Sequence, residues 1–147
     1  QNPDDQYGVD GIEFDKNGDL LIGNFGDGAV YRVRFYDDLS VKSNELWAKD
    51  PNNLVSTDGM IMDGEGNLYI ADFCANAIVK IFPDGTVTKL CQNGDTDGLN
   101  GELDEPGEPI IWNGKLVVSC FDTVTNDIVV NTAHELPATL AQIDMED

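Results

Sequence analysis

Two acidic residues stand in the same local setting, and their side chains are the first candidates for chemistry. Asp10 is followed by Gly11, an apolar alternation and a polar turn ending in Gly18; Asp58 is followed by Gly59 and the same pattern 48 residues later. Carboxylates at equivalent places in a repeat would gather around one axis and crowd negative charge together. Such a cluster is unfavourable unless protons or a cation neutralise it. Oxygen donors with no His or Cys beside them select a hard cation, Ca²⁺ or alternatively Mg²⁺, over a thiolate-seeking metal. The competing reading, solvated turn carboxylates capping strand ends, stays open on spacing alone.

Three other features invite a chemical reading and do not hold it. Asn93 to Asp104 places Asp95, Asp97 and Gly98 as an EF-hand loop would, yet its last position is Asp where Glu is expected, and no amphipathic helix flanks it. It reads as a connection between repeat units. His134, the single histidine, sits in a polar segment between Ala133 and Glu135 and reads as a solvated side chain rather than a base. Cys74, Cys91 and Cys120 are odd in number, lack CxxC spacing and lie in apolar stretches, so they read as small apolar residues.

The elements that must position Asp10 and Asp58 follow from the repeat. Asp10-Gly-Ile-Glu-Phe-Asp15-Lys-Asn-Gly18 through Phe25 recurs as Asp58-Gly-Met-Ile-Met-Asp63-Gly-Glu-Gly66 through Phe73. Ala29 to Val33 then matches Ala77 to Ile81, and a weaker third copy keeps Gly107, Gly114, Leu116, Val118 and Phe121. Alternating apolar residues, a turn tolerant of positive φ and a second apolar run spell strand, turn, strand. Strands are expected from Ile12, Leu20, Val30 and Leu46, and again around Pro137 to Ile143. Four short strands per unit of this length is the period of a β-propeller blade. The fold class is therefore all-β: a partial β-propeller of four-stranded antiparallel blades with approximate units 8–55, 56–103 and 104–147. A closed ring takes about four to eight blades, so the missing N-terminal blades or a second half-propeller would be needed to close it.

Composition excludes two partner classes. With 28 acidic against 8 basic residues the formal net charge is −20, which repels a nucleic-acid backbone or an anionic membrane. No apolar run approaches the roughly 18 residues of a membrane helix. At 41% hydrophobic residues the chain is expected to fold as a soluble domain. Its compartment is not legible.

Ser56-Thr-Asp58-Gly-Met60-Ile-Met-Asp63-Gly-Glu-Gly66-Asn-Leu-Tyr-Ile70-Ala resembles the Pro-Asp-Gly-Met segment of the senescence-marker protein/gluconolactonase family, the regucalcin-like calcium-dependent lactonase propellers. NHL propellers are more distant relatives. The resemblance implies that Asp58 is a metal ligand at the propeller centre and the general base. It implies a second ligand at Asp10, where the family has Asn; the change keeps an oxygen donor and adds a charge. Gly107-Glu108-Pro109 through Trp112 is similar to the family's Glu-x-Pro-x-Trp strand, here one residue shorter and away from the first blade where it normally lies, which implies Glu108 as a third ligand. The segment from Asn131 to Leu140 resembles the end of the last blade, so the chain looks like the C-terminal half of a six-bladed ring. Two functions are implied: a calcium-dependent hydrolase of sugar lactones or related esters, or a non-catalytic NHL-like propeller binding a ligand or protein on its central face. Asp10 and Asp58 at equivalent positions favour the first.

Overall fold

The computed structural model describes residues 7–124 and 129–145, and every strand in it pairs antiparallel. The first sheet runs β1 (Val9–Phe14), β2 (Leu20–Asn24), β3 (Ala29–Phe35) and β4 (Val41–Lys49) in that spatial order. The second repeats it with β5 (Met60–Met62), β6 (Leu68–Asp72), β7 (Ala77–Ile81) and β8 (Val87–Gln92). The third holds β9 (Pro106–Trp112), β10 (Lys115–Cys120) and β11 (Leu140–Asp144), ordered β11-β10-β9. This is the expected partial propeller, with β5 lying between β1 and β9 so that the innermost strands adjoin. Among the described residues the third sheet has three strands: β10 ends at Cys120 and β11 begins at Leu140, whereas in the other two sheets the matching pair of strands is joined by a short turn.

The turns explain why the strands form where they do. Asp15 Oδ1 accepts the N–H groups of Asn17 and Asp19, and Asp63 Oδ1 accepts those of Glu65, Gly66 and Asn67, so one acidic side chain closes each β1–β2-type hairpin. Asn113 and Gly114 turn β9 into β10 with φ of 52° and 77°, the left-handed pair a two-residue hairpin requires.

Packing between sheets uses the two faces of β6 separately. Leu68 and Ile70 join Leu21, Val30, Leu54, Met60, Val79 and Ile81 in the core against the first sheet. Tyr69 and Ala71 join Ile78, Leu116, Val118 and Ala141 in the core against the third. Strict alternation thus buries every residue of β6, which has no wet face. Cys74 and Cys120 are buried and Cys91 is half-buried, all three as free thiols.

The outward faces differ. On the first sheet Ile12 and Phe14 are 63% and 60% exposed, and on the third Ile110 and Trp112 are 52% and 60% exposed. Large apolar side chains in such rows favour association. The 147-residue chain is therefore expected to self-associate at micromolar concentration, and Phe14→Glu with Trp112→Glu to shift it toward monomer; sedimentation velocity checks this, and a compact wild-type monomer would refute it.

Candidate functional site at the innermost strands

Each innermost strand has a bulge where it begins, and the candidate acidic residues sit on the bulges. In β1 the register slips between Val9 and Ile12, so Asp10 and Gly11 together face Gly23. Ahead of β5, Ala71 serves two residues: it accepts the Asp58 N–H at 3.0 Å and donates to Gly59 O at 3.0 Å. In β9 the slip leaves Gly107 and Glu108 opposite Ser119, whose Oγ accepts the Glu108 N–H at 3.1 Å. A bulge breaks the in-out alternation and turns a side chain that would otherwise follow the pleat.

Glycine makes the bulges stackable. A Cβ on Gly11 would lie 2.2 Å from Asp58 O, and one on Gly59 would lie 2.6 Å from Gly107 O and 2.1 Å from Glu108 Oε2. The Gly59 N–H donates to Gly107 O at 2.9 Å, which ties the second innermost strand to the third. Gly59 in effect makes the hollow into which the Glu108 carboxylate fits.

The three expected residues are electrostatically one group. Burial pushes the Asp58 carboxyl up to about 7, the charge of Asp10 adds to the rise, and Glu108 contributes less. The Glu108 carboxyl is also raised, by burial first and then by Asp10 and Glu13. Asp58 is half-buried while Asp10 and Glu108 are exposed. None of the ion pairs among the described residues reaches any of the three. Asp10 and Asp58 line one cleft of about 310 Å³, together with Tyr7, Phe25 and Phe73.

Two contributors were not legible as site residues. Phe25, Phe73 and Phe121 hold the same repeat position and form a row, with ring centres 5.8 Å and 6.0 Å apart, and Tyr7 packs edge-on against Phe25 at 5.3 Å. The repeat alignment contains them; only the fold shows that Phe25 and Phe73 wall the acidic cleft. The other is Asp72, fully buried at the end of β6. It accepts Val55 N–H at 2.8 Å, Ser56 N–H at 2.9 Å and Ser56 Oγ–H at 2.8 Å, while Ser56 Oγ accepts Cys74 N–H at 3.0 Å. This latch holds the segment that presents Asp58. His134 is exposed and does not line the cleft.

The glycine hollow and the raised carboxyl each generate a prediction. Gly59→Ala is expected to cost about 1–3 kcal/mol by overpacking against the Gly107 backbone, read from urea melts. Asp58 binds its proton more tightly folded than unfolded, so its contribution to stability falls as pH rises from about 4 to about 7. Asp58→Asn should flatten that fall when stability is measured across this window with chelator present; an unchanged slope would refute the coupling.

No family model and no curated protein matches the chain. Solved structures do. A luciferin-regenerating enzyme aligns at 16% identity with a TM-score of 0.66, over 93% of this chain and 45% of that one. A gluconolactonase from Xanthomonas campestris aligns at 14% identity and TM-score 0.67, over 95% and 48%. The calcium-binding protein regucalcin from Agrobacterium tumefaciens aligns at 17% identity and TM-score 0.61, over 82% and 40%. The chain thus spans less than half the length of each of these structures. At such identities the likeness is one of fold, and the chain has the architecture of part of a gluconolactonase- and regucalcin-like β-propeller.

Proposed function

We propose that these residues belong to a divalent-cation-dependent hydrolase of lactones or related esters. The observation that carries the reading is Asp58: a half-buried carboxyl raised to about 7, on a cleft shared with Asp10 and walled by aromatic rings. In the cation-free chain burial and a like-charged neighbour raise this carboxyl, which marks negative charge crowded where a cation would relieve it.

The cation is supported by donor chemistry rather than by a finished cage. Asp10, Asp58 and Glu108 offer only oxygen, carry no basic partner, and include a carboxylate seated in the hollow that Gly59 leaves. Among the described residues no three His, Cys, Asp or Glu side chains converge closely enough to hold a metal ion alone, so these three would act with further oxygen donors. They are the residues that would hold Ca²⁺, with Mg²⁺ as the alternative. When bound, such a cation supplies polarisation of a substrate carbonyl and makes water easier to deprotonate.

Asp58 would take the proton from the attacking water, and the Asp72 latch would keep its segment from swinging out of line. Phe25, Phe73 and Tyr7 would shed water from the apolar part of a substrate, which strengthens every charge interaction beside them. The gluconolactonase among the fold neighbours acts in glucose secondary metabolism, which accords with a sugar-lactone substrate.

Hydrolysis of a lactone and ester panel, followed with and without chelator, tests the reading. Asp58→Ala is expected to lose cation affinity and turnover together. Asp58→Asn, which keeps an oxygen donor but cannot take a proton, should lower kcat by about 10²- to 10⁴-fold. Chelator-insensitive turnover or full activity in Asp58→Asn would contradict the mechanism. Saturable binding of a panel member without turnover would favour the non-catalytic binding propeller instead.

A further inference from the structure

A second acidic cluster lies where the connection from β8 to β9 meets the end of β10, and it is buried more deeply than the first. Asp104, Glu105 and Asp122 are 1%, 0% and 1% exposed. Buried carboxylates are normally saturated by hydrogen bonds or paired with a cation, since an unmet charge in the interior is costly. Here several oxygens are unmet. Glu105 Oε2 accepts the Thr123 N–H at 2.5 Å, but Oε1 has no partner. Asp104 Oδ1 accepts the Asn131 side-chain amide, but Oδ2 has none. Asp122 receives no N–H or hydroxyl at either oxygen, only a proton that it can share with the Glu135 carboxyl, and Asn131 Oδ1 is buried and unpartnered.

The charges around these oxygens make matters worse rather than better. The Glu135 carboxyl stands against that of Asp122, and the Asp104 carboxyl, raised first by burial, is raised further by Asp122, Asp95 and Asp97. No ion pair among the described residues brings a Lys or Arg to any of them. Yet the backbone holds the cluster firmly. Phe121 N–H donates to Glu105 O at 2.9 Å and Asp122 N–H to Asp104 O at 3.3 Å, so the two acidic segments run side by side. Asn76 clamps the same loop, accepting the Glu105 N–H at 2.8 Å and donating to Leu103 O at 3.0 Å and Gly94 O at 2.8 Å. Glu105 and Asp122 both adopt left-handed backbone, with φ of 55° and 47°, a region that Asp tolerates and Glu seldom visits.

We propose that this cluster is a cation site, in which Asp104, Asp122 and the amide oxygen of Asn131 hold a hard divalent cation of the Ca²⁺ class. The donors are two carboxylates and an amide, all oxygen, the set that selects Ca²⁺ over softer metals. Glu135 adds negative charge at the exposed side. The cation would fasten the loop before β9 to the segment after β10, and so join the second sheet to the third. It shares no residue with the cleft lined by Asp10 and Asp58, nor with Glu108, and does not depend on the activity proposed there.

The test uses purified protein carrying Asp10→Ala, Asp58→Ala and Glu108→Ala, which removes the three candidate ligands at the innermost strands. In that background Ca²⁺ alone, added after chelator removal, is expected to raise Tm by about 2–8 °C and to bind with one-site stoichiometry in calorimetry. Adding Asp122→Asn should abolish both. The proposal is overturned if neither Ca²⁺ nor Mg²⁺ shifts Tm in the background protein, which would mean protons satisfy the cluster, or if the shift survives Asp122→Asn undiminished. Should Asp122→Asn not fold, Asn131→Asp in the same background is expected to tighten Ca²⁺ binding several-fold; unchanged affinity overturns the proposal.

Discussion

The close approach of the innermost strands is the constraint on which the structure turns. Three glycines at one repeat position, Gly11, Gly59 and Gly107, leave no room for a Cβ: the nearest atoms are Asp58 O, the Glu108 carboxylate and the Phe121 ring. A Cβ at Gly11 or Gly59 would meet the backbone of the neighbouring innermost strand, so the sheets would have to splay and Asp10 and Asp58 would no longer share one cleft. A backbone requirement thus sets the electrostatics. The carboxyl of Asp58 is raised because strand geometry holds it half-buried beside Asp10, and strand geometry is what the glycines permit.

Support for that approach comes from the middle sheet. β6 is buried on both faces, so its alternation serves two cores at once, and a slip of one residue would exchange them. Its last residue, Asp72, then spends its buried charge on three donors from the Val55–Ser56 segment. Hydrogen bonds favour the charged carboxylate and burial opposes it; burial is the larger influence, and the carboxyl is raised. Packing, register and presentation of Asp58 are therefore consequences of one strand.

A net charge of −20 has to be placed somewhere, and the molecule places it unevenly. Many acidic side chains close turns, as Asp15 and Asp63 do, where backbone N–H groups meet the charge at the surface. Those in the central cleft are partly wet and repel one another. The buried carboxylates around Asp122 are met only in part by protein donors, which is why they point to a bound cation.

Much of the fold was legible because the information is local and repeated. The turn residues Asp15 and Gly18, with their counterparts Asp63 and Gly66, and the alternation around them specify hairpins without reference to the rest of the chain. A fixed spacing of 48 residues then specifies stacking of like units and, with it, the joint placement of Asp10 and Asp58. Glu108 was reached only through resemblance, since it is offset from the repeat position of the other two. The aromatic row was present in the alignment as Phe25, Phe73 and Phe121, but identity at a spacing does not distinguish a core residue from a cleft wall. Asp72, Asp122 and Asn131 were not legible as site residues, and Asp104 was met only as the last position of a loop that fails as an EF-hand. Their character depends on burial and on which donors face them, and both are set by contacts between segments far apart in the chain. Local periodicity determines which strands form; only the assembled sheets decide which charges lose their water.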